Sequence, residues 1–361
     1  MRIFAATPLY VQGPGVMDQV GKIAARIGQA PGIVIDAQVR HLVGPGLQRG
    51  FAACVPIASF SEEVTDMAVA SLAVALSGCD VIVAVGGGKA IDAGKAVALR
   101  MGARVISVPT IASTDGPASR GIAMYDDAHR LVRVDQMPGN PAAVVVDTQV
   151  IAQAPARFLR AGIGDAIAKT FEAEACWAGK GLTKHGTRAT HSGRAVAHAA
   201  YRMLREHAIA GLADAERRQV SEDLEATIEA CVLLSAMGFE NGGLSIAHSV
   251  TRGLMTLRGA RERLHGEHVA YGALVQLATE RREAMLADLA AFLEVVGLPT
   301  SLVAMGVDDP TDEEIRHVAA ATMTSPHMRA FARPVAIADI AVAVRQVEAL
   351  GARAASPQTH T

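Results

Sequence analysis

Two histidines, His265 and His268, stand three residues apart in RLHGEHVAYGAL, which runs from Arg263 to Leu274. On a helix such residues share roughly one face. They could be two ligands for one metal, one ligand and one neighbour, or polar residues at a helix start. Two other segments bear on that choice. His248 lies in GFENGGLSIAHSVTRGL, inside an apolar helical pattern after a Gly-rich entry. Asp165 lies in RAGIGDAIAKTFEAEA, beside glycines at the start of an apolar helical run. Taken singly, His248 reads as a hydrogen-bonded core histidine and Asp165 as a helix N-cap. Taken together, an acid and histidines from different helices can form a carboxylate–His–His site. Zinc bound by three protein ligands with an open position is a catalytic pattern, not a structural one. His185, His191, His198 and His207 fall in a polar helical region and read as structural.

A second kind of chemistry is suggested by VIVAVGGGKAIDAGKA, which sets Gly86, Gly87 and Gly88 between an apolar run and a helical pattern. Bare backbone N–H groups at a helix N-terminus can hold a phosphate. The spacing is not that of a P-loop, and a full G-x-G-x-x-G is missing because Ile91 takes the last position. Asp36, the best candidate for a ribose-binding acid, ends an earlier strand, out of the usual order. A tight turn would also explain the glycines. Three in a row after a buried strand favour close backbone approach. VPTIASTDGPAS then groups Thr110, Ser113, Thr114, Asp115 and Ser119 at a strand end, where open parallel sheets bind ligands. A capped turn is an equal reading of that loop.

The elements that must position these residues follow two grammars. GIVIDA (32–37), CDVIVAVGGG (79–88), ARVISVPT (103–110) and AAVVVD (142–147) read as strands. Helical patterns at 62–76 and 89–101 separate them. Continuous Val/Ile runs joined by helices predict a Rossmann-like parallel sheet covered on both faces. GIAMYDD and HRLVRVDQ flank a polar turn and predict a β-hairpin appended to that sheet. After Pro155 the patterns become Ala/Leu-rich and helical, at 156–176, 191–212, 221–239, 244–257 and 267–298. The expectation is an α/β domain over 1–155 and an all-α domain over 156–361, with ASPQTHT frayed at the end.

Bulk properties narrow the classes. The 361 residues are 50% hydrophobic, enough for a large core and two domains. Charged residues are 19% and the net charge is −2, which argues against a nucleic-acid partner. Apolar runs are too short for a membrane span, and MRIFAATPLYVQGPG lacks a signal-peptide core. Four cysteines without a C-x-x-C pair suit a cytoplasmic protein with reduced thiols and disfavour a Cys-based metal site.

VGGGKAIDAGKAVA, PTIASTDGPAS, VVVDTQVIAQAPARFLRAGIGDAIAKTFEA, LLSAMGFENGGLSIAHSVTRGL and LHGEHVAYGALVQL occur in this order between residues 81 and 277. The set resembles the glycerol dehydrogenase branch of the iron-containing alcohol dehydrogenase superfamily. The resemblance implies a dehydroquinate synthase-like fold, a cleft between its domains and a homo-oligomer. It also implies NAD and one divalent metal, usually zinc, with Fe2+ or another ion also possible. Carried over by motif, the metal ligands are Asp165, His248 and His265. Gly86, Gly87, Gly88 and Lys89 hold the pyrophosphate, with Asp92 close by. Thr110, Ser113, Ser119 and Tyr125 contact the cofactor, Asp115 faces the substrate hydroxyls, and Asp36 takes the ribose-binding position. The implied reaction is oxidation of a small polyol, glycerol to dihydroxyacetone or a related 1,2-diol. His268 stands where relatives carry Lys, and is expected on a solvated face. Thr251-Arg252 replaces His-Asn, and Arg120 replaces a small or apolar residue. Both arginines are expected to point to solvent. If they do not, a hydroxy acid or glycerol phosphate becomes the alternative substrate. A dehydroquinate-synthase-like lyase and a non-catalytic relative are the remaining alternatives.

Overall fold

The computed structural model describes residues 1–355. Of the tail expected to fray, 356–361 lie outside the described residues. Eight strands are present: β1 (Tyr10–Gly13), β2 (Pro31–Asp36), β3 (Ile57–Phe60), β4 (Val81–Gly86), β5 (Arg104–Pro109), β6 (Gly121–Tyr125), β7 (Leu131–Gln136) and β8 (Ala143–Asp147). The helices among them are α1 (Val20–Ile27), α2 (Arg40–Arg49), α3 (Asp66–Ala75), α4 (Gly88–Met101) and α5 (Thr148–Gln153). Then follow α6 (Ala156–Ile167), α7 (Lys169–Ala178), α8 (His191–Glu216), α9 (Glu222–Glu229) and α10 (Ser235–Gly242). The last are α11 (Ile246–Leu254), α12 (His265–Thr279), α13 (Glu283–Val296), α14 (Asp312–Met323) and α15 (Ile337–Ala355).

The chain forms two compact units. One comprises 5–159 and 210–236; the other comprises 1–4, 160–209 and 237 onward. The first holds an all-parallel six-stranded sheet in the order β1-β8-β5-β4-β2-β3. Every residue of β4 is buried, as a strand covered on both faces must be. Alternate side chains feed two cores. Ile33, Ile35, Val83 and Ile106 enter one, while Val34, Ile82 and Val105 enter the other. β1 and β3, which the sequence reading did not find, are four-residue edge strands with too few apolar residues to announce themselves. The expected hairpin is there, but β6 and β7 make their own antiparallel two-stranded sheet instead of extending the parallel one. The chain steps outward from β2 to β3 and returns to β4 on the other side of β2. That reversal makes the β2/β4 boundary a topological switch point, where ligands of such sheets bind.

The second unit is helical, apart from an isolated bridge between Leu182 and Arg188. The helix expected over 267–298 is two helices. Arg281 takes a left-handed φ of 59°, and the Arg282 guanidinium binds the carboxylates of Glu174 at 2.8 Å and Glu280 at 3.1 Å. The pattern expected at 221–239 is likewise interrupted by a π-turn at Ala230–Leu234. Among the described residues no single helix is long and apolar enough to cross a membrane.

Candidate active site: a carboxylate–histidine cluster and a glycine loop

In the helical unit, glycines bring three helices into contact. A Cβ on Gly164 would lie 2.4 Å from the Gly266 carbonyl, and one on Gly266 would lie 1.7 Å from the Ala161 carbonyl. Neither is possible, so α6 and α12 touch backbone to backbone only with glycine at both positions. Two turns along α12, a Cβ on Gly272 would stand 2.2 Å from the Ala247 carbonyl of α11. Asp165, His265 and His248 sit beside these three contacts. Their ligand atoms all lie within 4.8 Å of one another. Asp165 Oδ1 is 3.3 Å from His248 Nε2 and 4.0 Å from His265 Nε2. Asp165 lies within α6 and is buried, so it is no N-cap. His265 keeps 47% of its side chain exposed.

Two residues that the sequence reading missed complete the cluster. Glu172, on α7, is fully buried. Its Oε1 accepts from the Ser245 and His248 backbone N–H groups at 2.8 and 3.0 Å, capping the N-terminus of α11. Its Oε2 is 2.6 Å from His248 Nδ1. One carboxylate therefore starts the helix that carries His248 and also orients the ring. Because Nδ1 is held by Glu172, Nε2 is the atom turned to Asp165. The second residue is Lys169, 1% exposed, whose Nζ is 2.5 Å from Asp165 Oδ1 and 3.0 Å from His248 Nε2. Asp165, Lys169 and Glu172 are spaced i, i+4, i+7, which was the available signal in the sequence.

Electrostatics follow from these contacts. Burial alone would raise the Asp165 carboxyl, but Lys169, His248 and His265 hold it well below the ordinary carboxylate range. Glu172 is likewise lowered against its burial, chiefly by His248. The two histidines beside Asp165 move in opposite directions. His248 is raised despite burial because Glu172 grips it. At His265 the protein packed against the ring, with Lys169 and the other histidines, outweighs the pull of Asp165 and pushes it down to about 4. At neutral pH it offers a lone pair, as a metal ligand must. Two imidazoles and a carboxylate, with no thiolate, suit Zn2+ or Fe2+. These residues fit a divalent ion.

His268 is not on a solvated face. It is 1% exposed, and its Nε2 lies 2.7 Å from the Ala260 carbonyl. Period-3 spacing put it near His265 but could not say that the helix buries that face. Arg252 does lie exposed, donating to the carbonyl and hydroxyl of Thr324. Arg120, in the α/β unit, does not: it is half-buried.

In the α/β unit, Gly86 ends β4 with φ of 143°, and its Cβ would lie 2.7 Å from the Cβ atoms of Asp36 and Ala90. Asp36 thus stands on the neighbouring strand, beside the glycine turn, at the switch point. Gly87 caps α4 with extended backbone and no side-chain cap, and the first turn of α4 carries no acid. That helix start presents bare amides, and a Cβ on Gly87 would come within 3.0 Å of Ile111. Gly94, one turn past Ile91, packs α4 on β4: its Cβ would be 2.3 Å from that of Ala84. It does the close-packing job that the incomplete glycine motif left unassigned. The Thr110 N–H donates to the Gly86 carbonyl at 3.0 Å at the end of β5. Ser113 is half-buried in the following loop, and Ser119 Oγ donates to the Gly116 carbonyl at 3.3 Å. Asp115 Oδ2 accepts from Ser235 Oγ at 2.7 Å, just after the π-turn. Lys89, 60% exposed, pairs with Glu63. Asp92 turns to the hairpin, where its Oδ2 accepts from the Ala123 N–H at 2.9 Å, and Tyr125 is half-buried at the end of β6. Glycine loop, Asp36 and Thr110 are therefore grouped at strand ends. Asp92 instead ties α4 to the hairpin.

A parallel sheet with a glycine turn at its switch point, and a carboxylate–imidazole cluster in a helical unit, are features of the dehydroquinate synthase-like fold. A family model described as iron-containing alcohol dehydrogenase matches residues 11–155. The chain is 38% identical over 314 residues to a glycerol dehydrogenase of Thermotoga maritima, covering 86% of each protein. It is 36% identical over 326 residues to a glycolaldehyde reductase of Halobacterium salinarum, covering 88% of this chain and 89% of that one. The crystal structure of a probable glycerol dehydrogenase from Sinorhizobium meliloti 1021 matches with a TM-score of 0.92 at 33% identity, covering 98% of this chain and 100% of that one. The chain belongs to the iron-containing alcohol dehydrogenase family, in its glycerol dehydrogenase branch, and is an alcohol/polyol dehydrogenase.

Proposed function

We propose that the enzyme oxidises a vicinal diol, glycerol to dihydroxyacetone first among them, passing hydride to NAD at a site where Asp165, His248 and His265 hold a divalent metal, zinc by first choice. The carrying observation is the gathering of three ligand atoms within 4.8 Å, one buried acid and one exposed imidazole included. The bound ion would supply a Lewis acid for the reacting hydroxyl, and NAD the hydride acceptor. The substrate carbon loses hydride, its hydroxyl loses a proton to solvent, and a ketone results. The chain's residues do the positioning. Asp165 stays ionised under its cationic neighbours, His265 stays neutral, and Glu172 keeps His248 Nε2 aimed inward. Gly86, Gly87 and Gly88 take the pyrophosphate on backbone amides. Asp36 takes the ribose hydroxyls and disfavours a 2′-phosphate. Lys89, Thr110, Ser113, Ser119 and Tyr125 are proposed around the cofactor, and Asp115 toward the substrate hydroxyls. A glycerol dehydrogenase and a glycolaldehyde reductase share a substrate pattern, oxygen on adjacent carbons, and this supports the diol reading. Arg252 is engaged by Thr324, which weakens the case for an acidic substrate.

The test is a panel of glycerol, 1,2-propanediol, lactate and glycerol 1-phosphate, each with NAD and Zn2+. NADH absorbance should rise with the two diols. A strong preference for lactate or the phosphate would replace this reading with one centred on Arg120. Turnover of a substrate without net NADH would point to the lyase instead.

A further inference from the structure

Lys169 is among the largest fully buried side chains of the protein. An ammonium buried to this degree needs compensating partners. Among its partners are Asp165 Oδ1 at 2.5 Å and His248 Nε2 at 3.0 Å. These are two of the three atoms assigned above to the metal. The ammonium also lies over the Phe239 ring, 5.6 Å from its centroid. We propose that Lys169 is a tethered placeholder cation, which fills the metal position when no ion is bound and must leave His248 Nε2 for an ion to enter. The proposal rests on the metal-site reading above and goes beyond it.

The physical argument is one of lone pairs and charge. His248 Nε2 has a single lone pair, and a zinc–nitrogen bond of about 2.0–2.1 Å uses the one that accepts from the ammonium. Ion and ammonium cannot both hold it, whereas the Asp165 carboxylate has lone pairs for both. Asp165 and Glu172 put two carboxylates in a buried cluster, at 2% and 0% exposure. Without a counter-cation they would repel each other and lose their hydration uncompensated. A lysine four residues from Asp165 on the helical path supplies that cation. It keeps the donors together without metal and becomes redundant once a divalent ion arrives. Metal uptake is then an exchange, and the fraction of protein with the ammonium withdrawn scales the apparent affinity. The four-carbon stem lets the ammonium swing off His248 Nε2 by side-chain rotation, without unfolding α7.

The alternative is that Lys169 is a fixed structural ion-pair partner that stays put beside the ion. Removing it would then also tighten binding, by relieving its repulsion of the ion, but Zn2+ entry into wild type would need no withdrawal of the ammonium and its rate would keep rising with Zn2+ concentration, where a placeholder makes it level off. The experiment compares wild type with Lys169→Met and Lys169→Gln, all prepared metal-loaded so that metal-free instability does not prevent the measurement. Zn2+ is withdrawn by a chromophoric chelator to give equilibrium dissociation constants, and melting is followed with and without Zn2+. Both variants should bind Zn2+ at least about tenfold more tightly, the effect expected from removing a competing occupant. They should also melt below wild type when metal-free, and close to it when loaded. A dissociation constant in the variants within about twofold of wild type or higher, or a rate of Zn2+ entry into metal-free wild type that rises with concentration without levelling off, overturns the placeholder. If wild type itself binds no Zn2+, the metal-site reading fails instead.

Discussion

At the ends of β2, β4 and β5 the groups that can face a ligand are largely backbone amides, and the residues that matter are those with the least side chain. Around Asp165 the groups are side chains, and glycine matters only because it lets helices touch. Gly86 serves the first region by its φ of 143°. Gly164, Gly266 and Gly272 serve the second with no unusual backbone, through carbonyls closer than a Cβ allows. The comparison shows two ways a sequence can specify a site. The first needs a conformation and a close approach together, the second a close approach alone. A backbone site should lose cofactor affinity when damaged and keep its metal. A side-chain site should lose the metal and keep its cofactor.

Four substitutions test that division, in order of expected effect. His265→Ala should cut turnover by about a thousandfold or more, because Lewis-acid stabilisation worth several kcal/mol is lost with the metal. Metal content by elemental analysis should fall in parallel, while NAD binding followed by fluorescence stays near wild type; a fully loaded, inactive variant would break the comparison. Glu172→Gln leaves all three ligands in place but loosens His248. Metal affinity should weaken by about 10–100-fold, the usual cost of removing an outer partner of a ligating histidine. An unchanged affinity would reduce Glu172 to a helix cap. Gly86→Ala should strain the loop by about 1–3 kcal/mol, through its φ of 143° and a Cβ 2.7 Å from those of Asp36 and Ala90, and raise KM for NAD roughly tenfold or more. Stoichiometric metal should remain, and a metal-depleted Gly86→Ala protein would mean that the two sites are not separately built. The smallest effect on chemistry belongs to His268→Ala. It removes one of two donors to the Ala260 carbonyl, which keeps the Arg263 N–H at 2.9 Å, and it empties the space of a buried ring, at a cost of about 1–3 kcal/mol in stability. Tm should drop with metal retained, and loss of metal in this variant alone would reassign the ligand from His265 to His268.

Much of the architecture was legible because its signals are local. The Val/Ile runs that became β4, β5 and β8 are long and apolar on every position, so period and burial agree. The short edges β1 and β3 were silent, since edge strands need little apolar surface. The break at Arg281 was hidden because helix-favouring residues lie on both sides of it. At the site, Asp165, His248 and His265 were named from motifs and meet in space. Lys169 and Glu172 were passed over, although their spacing from Asp165 put them on its face. Within an Ala-rich helical run, a Lys and a Glu read as ordinary solvated residues. Only packing against α11 turns Glu172 into a helix cap and a histidine clamp. His268 erred in the opposite direction, since a polar residue beside a site looks exposed until the helix on which it sits is seen to be buried.

What the sequence determined by itself was therefore the inventory and its order: a glycine turn after a buried strand, an acid and histidines on separate helices, and two grammars of secondary structure. Those follow from backbone conformation and from apolar periodicity, which act over a few residues. The tertiary structure decided which histidine reaches the carboxylate and which is buried against Ala260. It also decided that Asp36 stands beside Gly86, and that a lysine closes the cluster. Each of these depends on how the chain packs in space, as where Gly266 lies too close to the Ala161 carbonyl for any Cβ, and such contacts leave no local period in the sequence.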